Sequence, residues 1–103
     1  MNQSTQNART PLFLMANLGS ELTRFFRDKE KGEREKMNQS AKRALGIIDS
    51  LSATSSAGYS REAKIWGDVV KDATSDSPQY HVSIKNVEGY FLPLASRLLS
   101  GVK

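Results

Sequence analysis

Apolar side chains recur along this chain at spacings of three and four, in runs separated by polar stretches. The first run is Met15, Leu18, Leu22, Phe25 and Phe26, positions that one face of a 3.6-residue helix gathers together. Thr10 and Pro11 stand just before it. They supply a hydroxyl at the N-cap and a proline at the first helical position, where its missing N–H costs nothing. Gly19, inside this run, either marks the close approach of a neighbour or is simply tolerated. Between Phe26 and Met37 there is no apolar residue at all. The stripe then resumes as Met37, Ala41, Ala44, Leu45, Ile48 and Leu51, a second amphipathic helix.

Small residues fill Ser-Ala-Thr-Ser-Ser-Ala-Gly at 52–58 and cannot build a core, so this segment reads as a loop. Ser60 is the predicted N-cap of a third helix whose inner face is Ala63, Trp66, Val69, Val70 and Ala73. Tyr59 stands ready to staple against it. Ser-Asp-Ser-Pro at 75–78 interrupts the pattern, because a residue before proline resists the helical region. Behind Ser83 as a cap, Ile84, Val87, Phe91, Leu94 and Leu98 follow in 3-4-3-4 order. Pro93 lies inside this run and presses on the carbonyl of Gly89, which predicts a kink or a break. Residues 80–84 alternate as a short strand would, but no second strand is available to pair with them, and an extended loop is the better reading.

The predicted fold is therefore all-α: a small antiparallel bundle of four helices at about 11–31, 33–52, 60–75 and 84–100. A chain of 103 residues supports one domain, here residues 10–103, preceded by a flexible polar tail, Met-Asn-Gln-Ser-Thr-Gln-Asn-Ala-Arg, at 1–9. The tetrapeptide Met-Asn-Gln-Ser returns at 37–40, but the residues after it diverge, so it is no structural repeat. Met15 could also serve as a start in place of Met1.

Composition narrows the chemistry. An apolar fraction of 38% with a mean hydropathy of −0.51 suits a small soluble globule. The apolar stretch Leu12–Ala16 is shorter than the roughly 7–15 residues of a secretory core, and no run approaches the ~18 that span a bilayer. The chain has no cysteine, which rules out disulfides, thiolate metal sites and thiol catalysis and is compatible with a reducing compartment. The cytoplasm is the expected location, with no membrane association.

Charge is distributed unevenly. Residues 24–43 hold eight of the 15 basic side chains, Arg24, Arg27, Lys29, Lys31, Arg34, Lys36, Lys42 and Arg43, and four of the 11 acids, Asp28, Glu30, Glu33 and Glu35. That difference equals the whole formal charge of +4. Such a cluster is the electrostatic footprint of phosphate binding. Its acids are nonetheless interleaved: Arg24–Asp28, Lys29–Glu33, Glu30–Arg34 and Lys31–Glu35 are opposite-sign pairs at helical i, i+4 spacing, each worth about 0.2–0.5 kcal/mol. Three of these pairs span Gly32 and form only if the helix continues through it. If Gly32 caps the first helix, the chain folds back there, the reading favoured here. Lys29 and Lys31 then oppose the dipole of the first helix, and Glu33 and Glu35 that of the second.

In one continuous helix Arg24, Arg27, Lys31 and Arg34 would form a single row able to track a phosphate backbone or an acidic partner. Asp68, Asp72 and Asp76 recur every fourth residue, a carboxylate ridge that could receive a basic partner surface. Tyr90 is a candidate interface aromatic. His81 is the lone histidine and cannot build a usual zinc site by itself. There is no glycine-rich phosphate loop, no nucleophile–base constellation and no aromatic-basic alternation. No metal, cofactor or catalytic residue is assigned.

The strings NLGSELTRFFRDKEKGE (17–33), RALGIIDSL (43–51) and YFLPLASRLL (90–99) resemble a group of small uncharacterised helical proteins from bacteria of reduced genome. The resemblance covers most of the chain and implies a helical fold; it brings no activity with it. The sequence thus points to a non-enzymatic helical-bundle module that works by protein–protein contact, including self-association, with a nucleic-acid-binding module using the basic 24–43 hairpin as the alternative.

Overall fold

The structure is a computed structural model that describes residues 10–54 and 57–99. They form four α-helices: α1 Pro11–Lys31, α2 Arg34–Ser52, α3 Ala57–Ala73 and α4 Ile84–Leu99. The predicted tail at 1–9 and the inward placement of Leu98 lie outside the described residues. Among those described there is no strand, and residues 78–83 run as irregular chain. An unbroken helix from 11 to 52 would be about 60 Å long. The longest dimension of the molecule is 41 Å, with the other two at 24 Å, because the chain folds back after Lys31.

The starts of α1 and α4 follow from their sequence. The Thr10 hydroxyl accepts the backbone N–H of Phe13 at 3.2 Å, which satisfies one of the donors a helix leaves unpaired at its N-terminus. At α4, Ser83 and Asn86 exchange bonds: the Asn86 N–H donates to the Ser83 hydroxyl at 3.2 Å, and the Ser83 N–H to the Asn86 side-chain oxygen at 2.9 Å. This is a capping box with asparagine in the place of the usual glutamate. Ser60 is not a cap. It lies inside α3, which begins by Ala57 and ends at Ala73, so the alanine and glycine read as loop are helical. α4 runs through Pro93 as one helix.

The core is the sum of the four stripes. α1 contributes Met15, Leu18, Leu22, Phe25 and Phe26; α2 gives Met37, Ala41, Ala44, Ile48 and Leu51; α3 gives Ala63, Trp66 and Val70; α4 gives Val87 and Phe91. Leu45, Val69, Ala73, Ile84 and Leu94 are only partly buried at its edge. α1 is the central helix, packed along both α2 and α4 and touching α3, while α2 packs on α3. Between α3 and α4, aromatic rings fill the gap. Trp66 meets Tyr90 and Phe91, each with ring centroids 5.3 Å apart, at the spacing and tilt that aromatic quadrupoles favour.

Gly19 does mark a close approach. A Cβ there would lie 2.6 Å from Cβ and 2.7 Å from Cγ of Phe91. These atoms sit at the root of the side chain, so α4 itself would have to move. We expect Gly19→Ala to lower stability by about 1–2 kcal/mol, since overpacking at roughly 1–3 kcal/mol outweighs the gain of up to about 1 kcal/mol from helix propensity. Gly46→Ala, at an exposed position of α2 with nothing within 4 Å of the added carbon, should instead stabilise by about 0.5–1 kcal/mol. Urea denaturation of the two variants checks both signs.

Candidate functional site

The charged hairpin is organised by its turn. Gly32 sits at φ 74°, a left-handed conformation that costs a residue with a Cβ about 1–2 kcal/mol. Its N–H donates to the Lys29 carbonyl at 3.1 Å, and the Glu33 N–H to the Asp28 carbonyl at 2.9 Å, the paired bonds of a Schellman motif. The reversal separates Lys29 from Glu33, Glu30 from Arg34 and Lys31 from Glu35, so none of these pairs forms. Arg24 does not bond Asp28 either. It reaches back to Glu21 at 3.4 Å. At the turn itself the ion pair is Glu33–Lys36, at 3.8 Å.

Glu21 holds the seam between α1 and α2. The Arg43 guanidinium donates to its other oxygen at 2.9 Å and also to the buried Ser40 hydroxyl at 3.2 Å. One largely covered carboxylate, 13% exposed, is thus shared by two guanidinium groups that remain 59% and 50% exposed. Local spacing does not pair Glu21 with Arg43, which counts in the sequence only as one of the cations of residues 24–43. A signal was available, because the two residues stand equally far from Gly32 and a hairpin centred there brings them opposite one another.

Along the outer side of α1, Asn17, Ser20, Arg24, Arg27 and Lys31 follow one another at three- and four-residue steps, and all are exposed. Glu21 and Asp28 border this line at three- and four-residue steps, but Glu21 is turned to Arg24 and Arg43 and Asp28 is half-buried at the cavity that Arg34 lines. Arg34, the expected fourth member of the row, begins α2 instead. It lines a cavity of about 340 Å³ with Asp28, Lys29, Met37, Thr74 and Asp76. Lys29 also borders a second opening, of about 290 Å³, beside Phe26, Tyr80 and His81.

The carboxylate ridge does not persist as three equivalent groups. Asp68 is exposed on α3, and Asp76 lies beyond the helix end. Asp72 turns to the connection between α3 and α4, accepting the N–H of Gln79 at 2.9 Å and of Tyr80 at 3.0 Å. These two backbone donors, with smaller contributions from His81 and Lys29, hold its carboxyl below the usual carboxylate range. Tyr90 is also engaged internally. Its hydroxyl donates to the Glu62 carboxylate, and its ring packs on Trp66 and Phe91. Burial, and then the bond to Glu62, push the phenol above its ordinary range.

Among the described residues no group of three or more His, Asp or Glu is placed to hold a metal ion, and no helix is long and apolar enough to cross a membrane. Compared with protein-family models, curated proteins and solved structures, the chain matches none.

Two expectations follow from these bonded groups. A depressed carboxyl contributes stability above its unfolded pKa and loses it as pH falls through the lower folded value. The amide resonances of Gln79 and Tyr80 should therefore titrate only below the usual carboxylate range, and Asp72→Asn should abolish that titration and speed hydrogen exchange at both amides. For Tyr90 the sign is opposite. A raised phenol holds its proton while the unfolded chain releases it, so stability should fall as pH rises above about 10. Tyr90→Phe should flatten that alkaline slope in urea midpoints measured across pH.

Proposed function

We propose that this chain is a non-enzymatic interaction module of the cytoplasm that works by protein–protein contact, including contact with a second copy of itself. The observation that carries this reading is Leu92, which stays 63% exposed on α4. It stands beside a shallow groove of about 160 Å³ between α1 and α4, lined by Ala16, Gly19, Ser20, Thr23 and Glu88 and floored by Phe91. Ala16, Ser20 and Thr23 leave room there for a side chain from outside, the space over Gly19 being taken by Phe91. A large aliphatic group at the rim supplies apolar area that water does not favour.

Size supports the same reading. A domain of this length buries only about 60–65% of its unfolded surface, and chains without disulfides or metals gain further burial by associating. The two cavities beside Lys29 are open to solvent, a shape that suits contact with a partner's surface. The lack of cysteine in the whole chain suits a reducing compartment.

Sedimentation equilibrium at micromolar concentration should show a species heavier than the 11.4 kDa monomer. Leu92→Lys should return it to monomer. The new lysine stands four residues after Glu88, a favourable helical pair, so the helical content and urea midpoint should hold within about 0.5 kcal/mol. A purely monomeric profile for the parent chain would remove self-association from the proposal.

A further inference from the structure

The geometry points to a second binding surface, adjoining the Leu92 groove at Ser20: the cationic side of the α1–α2 hairpin binds the phosphate backbone of a nucleic-acid duplex without reading its bases. Arg24, Arg27 and Lys31 lie along one exposed line of α1. Arg43 meets this line across the seam, where it shares Glu21 with Arg24. Two guanidinium groups on one carboxylate leave a net positive charge, and both remain half exposed, with N–H donors to spare. Arg27 and Lys31 have no carboxylate within ion-pair distance among the described residues.

The rest of the face selects the kind of polyanion. From Arg24 to Lys31 the helix rises about 10 Å, which matches roughly three successive phosphates at about 3.4 Å of duplex axis per strand. The flanking residues on the same line, Asn17 and Ser20, are exposed hydrogen-bonding groups of the type that contacts phosphate and sugar. The exposed aromatic ring among the described residues, Tyr80, belongs to the connection between α3 and α4. The face therefore lacks the stacking platform that single strands require. The exposed aliphatics Ile65 and Leu92 are on α3 and α4, so it also lacks the apolar centre of a protein interface. A regular row of phosphates remains as the fitting partner.

The test is fluorescence polarisation with labelled duplexes of roughly twenty base pairs, DNA and RNA, each in two unrelated sequences and over a salt series. The expected result is sequence-indifferent binding whose log K falls with log salt at a slope of about −3 to −4, for three or four neutralised phosphates. The double variant Arg27→Glu/Lys31→Glu should weaken binding at low salt at least about tenfold and make the slope shallower by about 2. Lys64→Glu/Lys85→Glu makes the same change in net charge at exposed positions of α3 and α4 and should change affinity less than about threefold. All these side chains are exposed, and circular dichroism confirms that each variant is folded. Three results would overturn the proposal: no duplex binding at low salt, equal losses in both double variants, or binding of polyglutamate with none of duplex, which would assign the face to an acidic protein.

Discussion

Gly32 holds a backbone conformation that other residues enter only at a cost, and the two Schellman bonds around it end α1 at Lys31. Everything else in the molecule is arranged by that reversal. It lays α2 along α1, so that Phe25 and Phe26 on one side of the turn share a core with Met37 and Ala41 on the other. It makes α1 the helix that both α2 and α4 use as a support. It also decides the electrostatics. Glu33 and Glu35, which would neutralise Lys29 and Lys31 along a continuous helix, are carried past the turn, and the cations at the end of α1 are left facing water.

The apolar pattern made most of this legible. Every position of the first stripe is buried, and Thr10, Ser83 and Gly32 act at the helix ends as their residue types imply. Three-residue and four-residue spacing records which side of a helix meets the core, and burial follows from it directly. What failed was local inference about polar residues. Ser60 has the chemistry of a cap but lies inside α3, because a hydroxyl is also tolerated in a helix and Ala57 favours the helical state. The three aspartates have the spacing of a ridge, but α3 stops at Ala73 and Asp72 finds the backbone of Gln79 and Tyr80. A charged side chain takes whichever donor the fold brings near, and the sequence interval to that donor can be anything.

Glu21 makes the same point from the other direction. By local spacing it pairs with Arg24, and it does so at 3.4 Å, but its shorter bond goes to Arg43 across the hairpin. Only the register of the turn makes that partner visible. Gly19 is the apolar counterpart. Within α1 it is merely a weak helix former, whereas its place in the fold is set by Phe91 of α4, which occupies the space its missing side chain leaves. In both cases the meaning of a residue is fixed by an element far away in the chain.

The two proposed contact surfaces also rest on a common cause. α1 lies between α2 and α4, so its inward face is fully used by the core and its outward line is free to carry charge. α4 packs on α1 through Phe91 at the missing side chain of Gly19, and this close approach leaves the next residue, Leu92, at the rim of the groove and exposed. Positive charge and apolar exposure thus fall on adjoining strips of the same helix pair. A duplex on the outer line of α1 and a second copy at the α1–α4 groove would meet at Ser20, which belongs to both, while Arg24, Lys31 and Arg43 lie outside the groove lining. Self-association through Leu92 would double the number of cationic lines in one particle, and two linked weak sites bind a long polyanion far more tightly than either does alone. Because each phosphate contact is individually modest and strongly screened by salt, such doubling is the physical route by which a hairpin with three or four exposed cations reaches useful affinity.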